Sequence, residues 1–509
     1  MTVSVVTNND RTHVRCYSNT QSNTRQRKSS GFPATINIET TTMKSDRLNR
    51  RAFIGGTSKA ALGVVAAPLL YNARLFGGEM ANSKLNIACI GLGGQMNALM
   101  KELITFDQKM NIVALCDLDA NQITIRRKEF APAVAGAKDY KDYRELLERE
   151  KTVDAVVIAT PDHWHAAISK AAIQAGKHVY CEKPLTHTVA EARQIADVAR
   201  QSKVVTQTGN QGSGSSNFRR SMELIQAGVL GSVRAVHIWH PPHGWPNGMD
   251  QPAGADPIPD GFDWNNWIGP APVRPYKQGI YHPGAWRGWY DFGGGSVADF
   301  CCHAFSMPVR ALELDYPNRI EVSGTALGKD SFPKSCKVHF SFPERGKHGA
   351  VTIHFYTGGE RECTVVPAEE VTAGMVETFG KLASTGCLVV GDKGELSAGL
   401  WNNECFIRMQ GEKEFKHESN HDAAKAVPKS LPRAPQDRHM LEWLEACRGQ
   451  GKTFSPFEIG GHVTEIGAAG LVALRLGRDI EWGGDAMSVK GAPEAAPLIK
   501  PQHRGQWGI

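Results

Sequence analysis

Two groups of residues in this 509-residue chain could do chemistry. The first is the turn Gly91-Leu-Gly93-Gly94-Gln95-Met96, which follows the apolar run Leu85 to Ile90 and precedes a helix-like stretch from Asn97 to Phe106. Glycines at a strand-to-helix turn let the backbone approach a pyrophosphate, whose charge is met by the helix N-terminus. Met96 stands where the third glycine of that pattern falls, so helix and strand are expected to pack slightly more loosely there. A second apolar run ends in Asp117, 26 residues after Gly91. An acid so placed accepts from the adenosine ribose hydroxyls, and no Arg follows it to take a 2′-phosphate, so NAD is favoured over NADP. The second group lies between Trp239 and Trp289, which holds six of the eleven Trp with His240, His243, His282 and Arg287 interleaved. Indoles beside polar groups suit the apolar faces and hydroxyl edges of a sugar. Trp239, His282, Trp286 and Arg287 are therefore candidate substrate contacts, the alternative being aromatic packing of a long loop. His237, His240 and His243 have a spacing that invites a metal, but in a strand His237 and His240 face opposite sides, so no metal is expected.

These residues need elements to hold them. Apolar strands (Leu85 to Ile90, Asn111 to Cys116, Val153 to Thr160, Lys177 to Cys181) alternate with helical stretches, which predicts a parallel doubly wound α/β sheet over residues 84–208. From 209 to 490 a helix at Phe218 to Ala227, short strands such as Val338 to Phe342 and Ala350 to Tyr356, and a last helix at Gly461 to Leu476 predict an α+β domain with an open, mostly antiparallel sheet. Residues 411–436 read as a long surface loop and 491–509 as a docking or subunit arm, consistent with a homo-oligomer. Eleven cysteines scattered without metal-type spacing read as buried thiols rather than a disulfide framework.

The stretch Ala159-Thr160-Pro161-Asp162-His163-Trp164-His165, followed by Gly176-Lys-His-Val-Tyr-Cys-Glu182-Lys183-Pro184, resembles in order and spacing the ATPxxxH and GKHVxxEKP signatures of the Gfo/Idh/MocA oxidoreductases. The likeness runs from about Lys84 to the C-terminus and is weaker in the body of the second domain. The resemblance implies that Thr160, Pro161 and His165 lie on the cofactor side. It also implies a turn at Glu182-Lys183-Pro184 with Pro184 cis, Glu182 near the nicotinamide ribose, and Lys183 reaching substrate and nicotinamide, where it could handle a hydroxyl proton. The family's D-x-x-x-H signature is matched by Asp299 and His303 after Gly293-Gly294-Gly295. On a helix this pair shares one face, so both can point toward Lys183, and a neutral imidazole can take a proton from an alcohol. The alternative is a core-facing His capped by Asp. Where many relatives carry a further Asp, this chain has Ala304-Phe-Ser-Met, which leaves that outer contact unfilled. Gly209-Asn210-Gln211-Gly212-Ser213 resembles a subgroup of exported members, making Asn210 a cofactor contact and Gln211 a substrate contact.

Charge and leader set the compartment. Residues 1–83 carry 11 basic and 4 acidic side chains, whereas the remaining 426 carry 47 and 48. A basic leader on a neutral body argues against a nucleic-acid partner. Asn49-Arg50-Arg51-Ala-Phe53-Ile, followed by a modest Ala/Gly-rich apolar stretch broken by Lys59 and Pro68, reads as a twin-arginine export signal over residues 43–83. The stretch is too short and interrupted for a spanning helix, so a membrane enters only if the signal stays uncleaved as an anchor. Residues 1–42 are polar and aperiodic, and Met43 opens a tidy signal, so the true start is expected there or the preceding stretch is disordered.

Three functions fit: a sugar dehydrogenase that releases NADH, an oxidoreductase that retains and recycles its NAD, as sugar-to-sugar oxidoreductases, epimerases or NAD-dependent glycosidases do, and a non-catalytic sugar-binding protein. Export favours the second, because an exported enzyme has no assured supply of free NAD.

Overall fold

The computed structural model describes residues 84–241, 244–346, 349–360 and 363–507. The twin-arginine stretch and His243 lie outside these residues.

The first sheet has six parallel strands in the order β3-β2-β1-β4-β5-β6. They are β1 (Leu85–Ile90), β2 (Met110–Cys116), β3 (Lys138–Tyr140), β4 (Ala155–Ile158), β5 (His178–Glu182) and β6 (Thr206–Gly209). Strands β4 and β5 are buried along nearly their whole length, as a sheet covered by helices on both faces requires. The helices are α1 (Gly94–Leu103), α2 (Ala120–Glu129), α3 (Tyr143–Arg149), α4 (Asp162–Gln174) and α5 (Val189–Arg200). Helix α2 starts on the Asp119 carboxylate, which accepts from Asn121 N, and α5 on a reciprocal Thr188/Glu191 capping box. Met96 is fully buried in the core beneath α1, so the missing third glycine is filled rather than left loose.

After α6 (Ser216–Gln226) the chain enters a mixed, mostly antiparallel sheet. Its central strands are β7 (Val233–His240), β8 (Arg319–Gly324), β9 (Ser335–Phe342), β10 (Val351–Glu360) and β11 (Gly386–Gly391). Strand β7 pairs parallel with β10 and antiparallel with β11. Burial alternates along β9, giving one face to the core and the other to its surroundings. Helix α7 (Gly295–Ala304) packs on the core face, together with α9 (Phe457–Leu476), which also lies on α5.

Two features depart from a simple split at residue 209. Helix α8 (His439–Cys447) contributes Met440, Leu441, Trp443 and Leu444 to the same apolar cluster as β1 and α1, so the nucleotide-type domain completes its core with a late segment. The 411–436 stretch is polar at its surface but tied down, because Glu223 of α6, itself buried, accepts from Ser430 N and Leu431 N at 2.8 Å and from Arg433. Nine cysteines, Cys89, Cys116, Cys181, Cys301 and Cys302 among them, are free and buried. No helix among the described residues is long and apolar enough to cross a membrane.

Candidate active site

The strand order reverses between β1 and β4, and a crevice opens there at the carboxyl ends of the strands. Gly91 has φ +80°, and a Cβ on it would lie 2.6 Å from Thr160 N, so only glycine lets the two strand ends approach. Around Gly93 and Gly94 nothing lies within 4 Å of an added Cβ; these glycines open the first turn of α1 onto the crevice. The first N–H groups of a helix have no partner within it, which makes this turn an anion seat. Asp117, at the end of β2, accepts from Leu92 N at 2.6 Å and from Asp119 N at 2.9 Å. Burial pushes its carboxyl up to about 6 against the pull of those backbone donors. The cavity measures about 360 Å³, and its walls include Gln95, Thr160 and Pro161 from the first domain. An open glycine turn, a helix N-terminus and a strand-end carboxylate are what a dinucleotide needs, and these residues fit NAD.

The opposite wall belongs to the aromatic segment. Trp267, His282, Trp286 and Arg287 line the cavity, and so does Trp507 from the far end of the chain. The segment is fastened to residues directly after Asp117: Phe262 bridges Asp119, Asp263 N donates to Leu118 O at 3.0 Å, and Ala120 N donates to Gly261 O at 3.2 Å. His282 Nε2 lies 2.9 Å from Asp119 Oδ2, with its ring stacked on Phe262. Residues 504–507 dock on this chain itself, since Arg504 donates to Gly269 O and Asn265 O, and Trp507 packs edge-on against Trp164. Neither the Asp119 contact nor Trp507 carries a sequence signal, because each partner is separated from its fellow by more than a hundred residues without a local motif.

Deeper in, a polar cluster gathers around the end of β5. The Lys183–Pro184 peptide is cis. Lys183 Nζ lies 2.9 Å from Asp299 Oδ2, and Arg287 Nε lies 3.6 Å from Asp299 Oδ1. Burial alone would raise the Asp299 carboxyl, but Lys183 and Arg287 outweigh it and hold the group below its ordinary value. His303, one turn on along α7, is lowered to about 3 by burial first and by Lys183 second, and its Nδ1 has no hydrogen-bond partner. It is therefore a neutral imidazole with a free nitrogen beside a lysine–carboxylate pair. Glu182 accepts from Gln95 at 3.0 Å and from Gln211 at 2.6 Å, and burial raises it despite Lys183. Asp162, which the sequence reading passed over, accepts from Gly294 N at 3.2 Å at the start of α7 and is pushed up to about 8 by burial and then by Asp299.

The other candidates separate. His165 is fully buried, with its ring nitrogens 2.7 Å from Pro184 O and 2.8 Å from Thr160 O; it ties the two turns together and does not line the cavity. Asn210 donates to Ser306 Oγ at 2.9 Å and keeps an unpartnered Oδ1, while Gln211 bridges Glu182 and Tyr180. Trp286 lies against the Arg287 guanidinium at 4.2 Å. Trp239 is a correction. It is fully buried on the far face of the sheet, packed with Tyr356, Met375, Leu388 and Phe415, because the two-residue period of β7 turns it away from α7. The same period puts His240 against Phe300 of α7 and His237 on the opposite face, beside His354. No group of three or more metal-type ligands is formed among the described residues.

Comparison with known proteins follows the same division. Residues 85–210 match the family model described as the oxidoreductase family, NAD-binding Rossmann fold, and residues 223–347 match that of its C-terminal alpha/beta domain. An inositol 2-dehydrogenase of Salmonella typhimurium is 28% identical over 157 residues, which cover 31% of this chain and 46% of that protein. The chain thus matches less than half the length of that relative. A solved inositol dehydrogenase homolog of Azotobacter vinelandii, complexed with NADH and myo-inositol, superposes with a TM-score of 0.54 at 18% identity, covering 80% of this chain and all of that one. An aldose-aldose oxidoreductase of Caulobacter crescentus, complexed with glycerol, gives 0.53 at 17% identity over 78% of this chain and 100% of that one. With both domain models matched in order beside a switch-point crevice whose lining includes the glycine turn and Asp117, residues 85–210 and 223–347 carry the two domains of the Gfo/Idh/MocA family of NAD-binding oxidoreductases.

Proposed function

We propose that the protein is an exported oxidoreductase acting at a hydroxyl-bearing carbon of a sugar, and that it holds its NAD through successive turnovers. Bound NAD supplies the hydride acceptor, and its reduced form the donor. The chain supplies the rest. Asp299 fixes the Lys183 ammonium, and Lys183 holds the substrate hydroxyl by a charge-assisted hydrogen bond. His303, kept neutral by burial and by Lys183, takes the hydroxyl proton and returns it. Arg287 sits where the crevice meets the Asp299 cluster and orients the carboxylate from the other side.

The observation that supports retention is the strap across the crevice. The segment around residues 261–263 and His282 is bonded to residues 118–120, immediately beyond the acid that would hold the ribose. On this reading those bonds must open before the nucleotide leaves. Export rests on Arg50, Arg51 and the stretch after them, and retention answers the supply problem that export creates.

The test is to purify the protein without added nucleotide, precipitate it, and assay the supernatant. About one NAD per chain is expected, and an empty protein that exchanges free NAD rapidly would overturn retention in favour of a dehydrogenase that releases NADH. Fractionating cells that make the Arg50→Lys, Arg51→Lys variant tests export in parallel. The variant should remain in the cytoplasm, and normal export would remove the signal reading.

A further inference from the structure

Trp401 is the sole tryptophan among the large apolar side chains exposed on the described surface, at 44%. It stands beside the buried His303, with ring centroids 6.2 Å apart and planes inclined at 52°. The turn that carries it is firmly anchored. Leu400 and Asn402 on either side are buried, Asn402 takes a positive φ of 53°, its Oδ1 accepts from Met307 N at 3.3 Å, and its Nδ2 donates to Gly399 O at 3.2 Å. Behind the turn is Gly212, where a Cβ would collide with the Trp401 carbonyl oxygen. The glycine-rich run at 209–214 therefore lets this turn come close enough to set an indole next to the catalytic histidine. Trp401 does not line the nucleotide cavity.

An indole held in water by buried neighbours forgoes the burial that large aromatics ordinarily gain. Its face and N–H suit the apolar C–H face and hydroxyl edge of a sugar ring. Lys183 and His303 are 15% exposed at the side chain and 5% exposed overall, so the reacting alcohol must lie inside, whereas Trp401 is at the surface about a ring's width from His303. We infer that the substrate is a glycoside that spans this distance: its terminal ring is oxidised between Lys183 and His303, and the next ring outward stacks on Trp401. The inference rests on the proposed sugar oxidoreductase and names its substrate class.

The experiment uses the nucleotide-loaded full chain and a panel of paired ligands, pyranose monosaccharides and the disaccharides that carry the same ring at the non-reducing end. Binding is followed by saturation-transfer NMR and isothermal titration calorimetry. Trp401→Ala should weaken disaccharide binding at least tenfold while leaving monosaccharide binding within twofold, and Trp401→Phe should restore most of the loss. NAD content, read on the same samples, should not change. Equal losses for both members of a pair would place the indole on the reacting ring, and no loss for either would remove Trp401 from the site; each overturns the inference while the oxidoreductase reading stands. Absence of binding by every sugar to wild type would overturn the sugar-substrate reading itself.

Discussion

Lys183, Asp299 and His303 form one device. The carboxylate, held ionised by two cations, keeps the ammonium in place, and that ammonium helps keep the imidazole neutral. A general acid–base group contributes roughly 10² to 10⁴-fold. Lys183→Ala and His303→Ala should each lower turnover of a bound sugar by about that factor with NAD still present. Because both serve one transition state, the double variant should lose much less than the product. Deuterium placed on the oxidised carbon provides a second check: with a retained cofactor it should return to carbon in the product. Near-normal turnover in both single variants would show the centre to be elsewhere. Asp162 makes a separate prediction from its raised carboxyl. An acid whose folded value lies near 8 and whose unfolded value lies near 4 binds one extra proton in the folded state between those limits. Its contribution to stability therefore falls as pH rises through that window, by up to about 1.4 kcal/mol per pH unit. Asp162→Asn cannot ionise, so its thermal midpoint relative to wild type should climb steadily from pH 5 to pH 8, and parallel curves would show Asp162 to be charged throughout. At this scale the sequence was readable wherever a motif fixed the spacing, as at Glu182-Lys183-Pro184 and Asp299-x-x-x-His303. It was silent on Asp162 and Trp401, whose meaning comes from neighbours brought in by the fold.

The secondary-structure elements were legible to different degrees. Strands β1, β2, β4 and β5 announce themselves as apolar runs because a sheet covered on both faces admits little else. Strand β7 was harder, since both of its faces are buried, one against α7 and the other under Met375 and Phe415, and no alternation of polar residues tells Trp239 which side it will take. The strap was not readable at all, because residues 118–120, 261–263 and 282 meet without sharing a pattern. It nevertheless carries a test. Asp119→Ala removes the acceptor for His282 and the cap of α2 together, whereas His282→Ala leaves the cap intact. Loss of a cap costs about 1 kcal/mol. Both variants should release NAD faster than wild type when chased with excess labelled nucleotide, and Asp119→Ala should lower the thermal midpoint of nucleotide-free protein further than His282→Ala does. Unchanged release from His282→Ala would show that the strap does not hold the cofactor.

Across the whole molecule, the two matched domains are joined by more than the chain between them. Helix α9 lies on α5 of the first domain and α7 of the second, Arg193 on α5 pairs with Glu465 on α9, and the 504–507 segment closes over Trp164. The two family models end at residue 347, before this late region, and no motif marks it, so from sequence its segments read only as packing and an arm. Helix α8 gives that arrangement a temporal meaning. With Trp443, Met440 and Leu444 sealing the core under β1 and α1, the nucleotide-type domain lacks one of its own walls until more than four-fifths of the polypeptide has left the ribosome. A chain released only as far as residue 210 would expose that apolar seam to water, and its glycine turn would stand on an unfinished base. The fold thus ties completion of the first domain's core to the arrival of a segment synthesised near the end of the chain.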